Sequence, residues 1–292
     1  MSQKRVGVIG GSGLYAMEAL EQAQEQRVQT PFGEPSDAIV TGTVAGVPVA
    51  FLARHGRGHR LLPSEVPYRA NIHALKQLGV RYLLSMSAVG SLREDFRPLD
   101  LVLPDQFIDL TTRRDSTFFG QGAVAHVSMA QPVCPVAAAA LAHAARDELA
   151  REGNPDGVRL HESGTYVCIE GPQFSSLAES QRYRAMGAGV IGMTNLPEAK
   201  LAREAQIGYA TLAMVTDYDC WHPREAHVTA DMALQNLFRN AARAQRVAAA
   251  AIARLGAEWP ESPAHTALSH ALVTQPDAMA PAVRQRLAAL LA

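Results

Sequence analysis

The feature that most constrains this fold is a repeated alternation of short, nearly unbroken apolar runs with longer segments of helical spacing. Val6 to Ile9, Val80 to Met86 and Tyr209 to Val215 carry too few polar residues for strands with one wet face. Strands of that kind are buried on both sides. Further strands are expected over 38–44, 47–53, 101–103, 164–169 and 190–193. Helices are expected over 67–78, 136–152, 176–186, 197–205, 230–255 and 281–292. Pro197 and Pro281 stand at first helical turns, where proline is tolerated. The segment 111–122 reads as a polar loop. The pattern predicts an α/β fold: one domain with a central, mixed, largely buried sheet and helices on both faces. A hydrophobic share of 48 % supplies enough core for it. Trp259-Pro260-Glu261-Ser262-Pro263 divides the chain into a main part, 1–255, and a C-terminal helical extension of the same domain, 256–292.

Composition narrows the function. A formal net charge of −1 leaves no basic footprint for nucleic acid. No apolar run reaches the roughly 18 residues of a membrane helix, and the N-terminus does not read as a signal peptide. Cys134, Cys168 and Cys220 are too few and scattered for a disulfide framework or a zinc ribbon. Free thiols fit a reducing cytoplasm.

The strand around Tyr209 to Val215 runs directly into Thr216-Asp217-Tyr218-Asp219. Residues two apart on a strand share a face, so Asp217 and Asp219 are expected to point the same way. Two carboxylates in a partly dry cleft cannot both ionise easily, and at least one is pushed toward its protonated form. A protonated carboxyl can donate to a basic ring nitrogen while its neighbour accepts. That pairing suits a 6-aminopurine, with its acceptor N7 and its donor amino group.

Four other strand ends carry small donors: Ser12, Arg54-His55, Ser87-Ala88 and Thr194. Ligands of α/β sheets collect at strand carboxyl ends. Arginine offers a planar fork for an oxyanion, and histidine adds a donor. The content suggests a dianion such as phosphate, held by protein donors alone. Gly10-Gly11-Ser12-Gly13 fits an anion nest, a tight turn, or a looser dinucleotide fingerprint with Ala16 in place of the third glycine. Asp217, Asp219, Cys220 and His222 cluster, and His55 and His59 have ligand-like spacing, but the mixture matches no closed zinc pattern. No metal is expected, and Cys220 reads as a small packed residue.

Seven segments stand in a telling order: Val8 to Leu14, Ala53 to Gly56, Tyr68 to Ile72, Gly90 to Glu94, Asp105 to Asp109, Glu170 to Ser175 and Thr216 to Trp221. Together, over roughly residues 5–250, they resemble the trimeric nucleoside phosphorylases, on the branch acting on 5′-methylthioadenosine. The resemblance makes 1–255 a catalytic domain. It implies reversible phosphorolysis of that nucleoside to adenine and 5-methylthioribose 1-phosphate in purine and methionine salvage. Inorganic phosphate would be a co-substrate, with no cofactor. Ser12, Arg54, His55, Ser87, Ala88 and Thr194 would hold phosphate. Met193 would lie against the ribose, Phe174 and Ser175 would line the base pocket, and Ala233 and Leu234 would shape the methylthio pocket. Asp217 would meet N7, and Asp219 would accept from the 6-amino group or assist Asp217. His126 would reach the site of a neighbour in a homotrimer. Sites for 6-oxopurines in this family carry Asn at the position of Asp217, so an Asp here implies a 6-amino base. A broader purine or methylthioinosine phosphorylase and a silent nucleoside or phosphate binder remain the alternatives.

Overall fold

The longest strands form the axis of the sheet because almost nothing in them calls for water. The computed structural model describes residues 3–11, 19–154, 156–225 and 228–291. The strands are β1 (Arg5–Gly10), β2 (Glu21–Gln26), β3 (Ile39–Val44), β4 (Val47–Ala53), β5 (Val80–Ser91), β6 (Leu101–Val102), β7 (Gln106–Asp109), β8 (Leu160–His161), β9 (Thr165–Cys168), β10 (Val190–Gly192) and β11 (Gly208–Asp217). The helices are α1 (Tyr68–Gln77), α2 (Pro135–Arg151), α3 (Leu177–Ala185), α4 (Asn195–Glu204), α5 (Ala230–Glu258) and α6 (Pro281–Leu291). Every residue of β11 is buried. It runs parallel to β5, which in turn runs parallel to β1.

All the strands join one mixed sheet, in the order β2-β3-β4-β1-β5-β10-β9-β7, with β11 on β5 and β6, and β8 on β6. Helices α2 and α5 cover one face. Ala144 and Leu141 pack there with Val247, Ala251, Ile252 and Leu255 against Val6, Leu84 and Leu212. Helices α1, α4 and α6 cover the other, where Ile72 and Leu75 meet Leu201, Leu287 and Leu290. The expected architecture is therefore observed. Leu268, Met279 and Val283 of the last segment enter the same second core.

Local signals explain the helix starts. Cys134 caps α2 ahead of Pro135, Ser176 forms a capping box with Glu179 at α3, and the Thr229 hydroxyl accepts from Met232 N at α5. Helix α5 continues to Glu258 and stops at Trp259, whose φ is +47°.

Three strands escape the apolar pattern. Strand β2, Glu-Gln-Ala-Gln-Glu-Gln, is almost wholly exposed and, among the described residues, pairs only with β3. A charged edge strand is a common defence against edge pairing and carries no apolar signal. Strand β7 is a partly exposed edge on β9, and β8 is only two residues long.

The decisive topological event concerns β5. Its pairing with β1 ends at Met86, opposite Gly10. Its antiparallel pairing with β10 begins at Gly90 and Ser91. Ser87, Ala88 and Val89 thus lack a neighbouring strand on that edge among the described residues. Ser87-Ala88 was expected at a strand end. The strand instead continues to Ser91, and what ends there is its neighbour.

Candidate active site

The opening beside β5 leads into a cavity of about 590 Å³. Its lining gathers segments from across the chain: Arg54 and His55 after β4, Ser87 to Gly90 of β5, Phe174 and Ser175 before α3, Met193 and Thr194 after β10, Asp217 and Asp219, and Ala233 and Leu234 of α5. His126 is exposed and does not line this cavity. Ser12 lies outside the described residues, while neighbouring Gly11 lines the cavity.

At one end Arg54 is buried and multiply bonded. Its Nε donates to Glu198 Oε2 at 2.7 Å, and Nη2 donates to Glu198 Oε1 at 3.0 Å and Ser85 Oγ at 2.7 Å. Nη1 donates to Met86 O at 3.2 Å. The fork expected to face an oxyanion therefore grips a carboxylate of the protein, leaving one Nη1 hydrogen of the five N–H groups uncommitted. Burial opposes the charge on Arg54, and the charge and hydrogen bonds of Glu198 more than restore it. Glu198 is itself fully buried and also accepts from Tyr209 Oη at 2.9 Å. Tyr209 Oη accepts from Thr211 Oγ1 at 3.3 Å, and Thr211 Oγ1 accepts from Asn195 Nδ2 at 2.8 Å. Sequence reasoning passed over Glu198, because an acid in the first turn of a helix is ordinary. The missed signal was its setting among Leu196, Ala199, Leu201 and Ala202, all of them apolar.

His55 departs from its expected role. Its Nδ1 lies 2.9 Å from Leu61 O. A carbonyl only accepts, so Nδ1 carries the hydrogen. Burial, then the charge of Arg54, pushes the ring down to about 3, so it is neutral at physiological pH. Nε2 is then a bare acceptor rather than a donor. The ring stacks on His59 at 4.3 Å between centroids.

Ser87 Oγ and Thr194 N each lie 3.5 Å from the hydroxyl of buried Tyr166. A Cβ on Gly192 would stand 2.0 Å from that same hydroxyl, so the glycine is what admits it. Thr194 precedes α4 without capping it by a side-chain bond, and regular helix begins only after Leu196.

At the other end Asp217 closes β11 opposite Gly90. Asp219 lies beyond the strand with φ +54°, so the two carboxylates are not neighbours on one strand face. A tight turn joins them instead: Asp219 N donates to Asp217 Oδ1 at 2.8 Å. Asp217 is raised to about 6, mainly by burial, with the charge of Asp219 a lesser contribution. The Thr216 hydroxyl lies 2.6 Å from Asp217 Oδ2 and 3.2 Å from Val89 O. It has one proton to share, and when Val89 O receives it, Asp217 Oδ2 must hold its own. Asp219 is also raised, again first by burial, and the Ser180 and Ser175 hydroxyls pull it back in part. Those hydroxyls and Asp219 Oδ2 are buried without a hydrogen bond of good geometry. This end therefore holds a proton near neutrality and several buried polar atoms with spare capacity.

Between the ends, Met86, Val89, Ile191, Met193, Met214 and Leu237 make an apolar wall. Among the described residues no three His, Cys, Asp or Glu side chains are grouped to hold a metal ion.

Residues 5–253 match the family model described as the phosphorylase superfamily. The S-methyl-5′-thioadenosine phosphorylase of Thermosynechococcus vestitus is 58 % identical over 288 residues, covering 99 % of this chain and 98 % of its own. A crystal structure of methylthioadenosine phosphorylase from an antarctic soil metagenomic library superposes with a TM-score of 0.93 at 59 % identity, covering 100 % of both chains. Methylthioadenosine phosphorylase from Schistosoma mansoni, in complex with adenine, gives a TM-score of 0.83 at 40 % identity over 88 % of this chain and 93 % of that one. With matches of this length and identity, the chain belongs to the phosphorylase superfamily.

Proposed function

We propose that this chain catalyses reversible phosphorolysis of S-methyl-5′-thioadenosine, giving adenine and 5-methylthioribose 1-phosphate in purine and methionine salvage. The observation that carries the reading is the buried Asp217, raised to about 6, at the far end of one cavity from the Arg54–His55 cluster. Support comes from relatives of that name. Phosphate sits among Ser12, Arg54, His55, Ser87, Ala88 and Thr194. A hydroxyl of hydrogen phosphate donates to His55 Nε2, and the free Nη1 hydrogen of Arg54 meets an oxyanion. A phosphate oxygen attacks C1′ as the C1′–N9 bond breaks. The electron pair moves into the purine, and N7 takes the proton of Asp217. General acid help of this kind contributes about 10²–10⁴ in rate, and holding phosphate beside C1′ adds a proximity gain. Asp219 accepts from the 6-amino group or supports Asp217. Phe174 and Ser175 flank the base, Met193 lies against the ribose, and Ala233 and Leu234 surround the methylthio group. Burying an unpaired 5′-hydroxyl against an apolar wall is unfavourable, which selects the thioether.

The chain works in the cytoplasm as a homotrimer, without a cofactor. The exposed position of His126, outside its own cavity, supports its reaching a neighbour's site. Among the described residues no helix is long and apolar enough to cross a membrane.

The test is incubation with equal methylthioadenosine and methylthioinosine, with and without phosphate, followed by separation of the bases. Phosphate-dependent adenine with little hypoxanthine is expected. Comparable hypoxanthine would overturn the 6-amino specificity, and no base at all would leave a silent binder.

A further inference from the structure

Arg114 stands in the polar segment 111–122, yet its side chain is 1 % exposed. It is absent from the lining of the main cavity. Its Nε donates to Glu170 Oε1 at 2.8 Å. Nη1 donates to Met193 O at 2.6 Å, Leu196 O at 2.8 Å and Tyr68 Oη at 3.1 Å. Nη2 donates to Glu170 O at 2.7 Å and lies 3.4 Å from Ile169 O. One guanidinium thus ties the chain after β9 to the chain after β10 through backbone carbonyls. The loop bearing it is fastened in return, because Glu170 Oε2 accepts from Thr112 N at 2.7 Å and Arg113 N at 3.0 Å.

The grip on Met193 O has a geometric consequence. In a planar trans peptide the C=O and N–H point in opposite directions. With Met193 O turned to Arg114, Thr194 N–H must face away from it, toward the side where Tyr166 Oη stands at 3.5 Å. Met193 and Thr194 both line the main cavity. We propose that Arg114 is a positioning residue for the reaction. It sets the orientation of the Met193–Thr194 peptide, and with it the phosphate end and the ribose wall, while touching neither substrate. The proposal rests on the reaction assigned above. A lysine cannot replace the residue, because a point donor on a flexible stem cannot hold several carbonyls in one plane.

The experiment uses the full chain as wild type, Arg114→Lys, Arg114→Met and Arg113→Ala. Thermal midpoint, phosphate affinity by calorimetry, kcat, and KM for phosphate and methylthioadenosine are measured. Arg114→Lys is expected to fold and to weaken phosphate by about tenfold or more in both KM and calorimetric affinity. A small misplacement at a reacting centre has effects of that size. Arg114→Met should do the same with a lower midpoint, and Arg113→Ala, which removes an equal charge next door, should match the wild type. Unchanged phosphate affinity in a folded Arg114→Lys would overturn the proposal, as would an Arg114→Met that loses stability alone. If the wild type binds phosphate but cleaves no nucleoside, the assigned reaction fails, and the calorimetry still decides the role of Arg114. A wild type that binds no phosphate overturns both.

Discussion

The two ends of the cavity are built on opposite principles. Around Arg54, Glu198, Tyr209, Thr211 and Asn195 form a chain of buried hydrogen bonds that leaves one buried side-chain atom, Asn195 Oδ1, without a partner. Around Asp217, Oδ2 shares one Thr216 proton with Val89 O, and Asp219 Oδ2, Ser175 Oγ and Ser180 Oγ lack well-formed partners. The first end is nearly saturated by the protein itself, which fixes geometry. The second keeps unspent donors and acceptors, which suits exchange of a proton with a ligand. Buried unsatisfied groups are unfavourable in a folded protein, so the three gathered around Asp219, against one at the Arg54 end, mark a place reserved for a partner.

The largest effect should come from breaking the saturated end. Glu198→Ala strands Arg54 as a buried charge and should cost about 3–5 kcal/mol, seen as a lower urea midpoint. A midpoint equal to wild type would show that the pair does not hold this end together. The spare end should respond in the opposite sense. Asp217→Asn should lower kcat by about 10²–10⁴, yet raise stability at neutral pH. The sign follows from the raised carboxyl. Burial raises Asp217 to about 6 in the folded chain from the ordinary carboxyl value of 3.8, so between those values the folded state binds the extra proton. Its stabilising share is therefore present at low pH and lost as pH rises through about 6. Removing the group should gain about 1–3 kcal/mol near neutrality, fading below about pH 4. Thermal midpoints at acid and neutral pH would show it, and a loss of stability at neutral pH would contradict it.

A smaller perturbation tests whether the ends are separable. A Cβ on Gly90 would stand 2.9 Å from Asp217 Oδ1 and 3.0 Å from Ile191 Cγ2. Gly90→Ala should cut kcat/KM for the nucleoside by about tenfold through a displaced carboxylate, leaving phosphate KM nearly unchanged. Equal loss in both would make the two ends one mechanical unit. The smallest effect belongs to Thr211→Val, which removes one link of the saturated chain. A loss of about 1 kcal/mol is expected, or roughly 2–4 °C in thermal midpoint, with turnover intact. A large loss of turnover would mean that the chain tunes chemistry as well as geometry.

Much of the architecture was legible because burial leaves a one-dimensional trace. The apolar runs of β1, β5 and β11 and the helical spacing of α2 and α5 set the α/β class. Strand β2 was not legible, since a polar edge strand exists only through its pairing with β3. At the site, the chemistry of Asp217 and the residue types near phosphate were readable, whereas orientation was not. The proton on His55 Nδ1 depends on Leu61 O, a backbone atom that no side-chain pattern reveals. The fork of Arg54 was assigned outward because its true partner, Glu198, lies 144 positions away in the chain. Arg114 looked like one more charge in a polar loop until the carbonyls around it were placed.

By itself, then, the sequence determined which segments leave water and which side chains carry protons and charge, because those properties belong to residues and their near neighbours. Only the tertiary structure decided that β1 leaves β5 at Met86 before β10 joins at Gly90, opening the cavity between them. It alone turned Asp219 to φ +54°, so that its N–H, rather than a shared strand face, links it to Asp217. The physical reason is common to these cases: hydrogen-bond direction and local dielectric are set by atoms distant in the chain, and they exist only once the backbone has brought those atoms together.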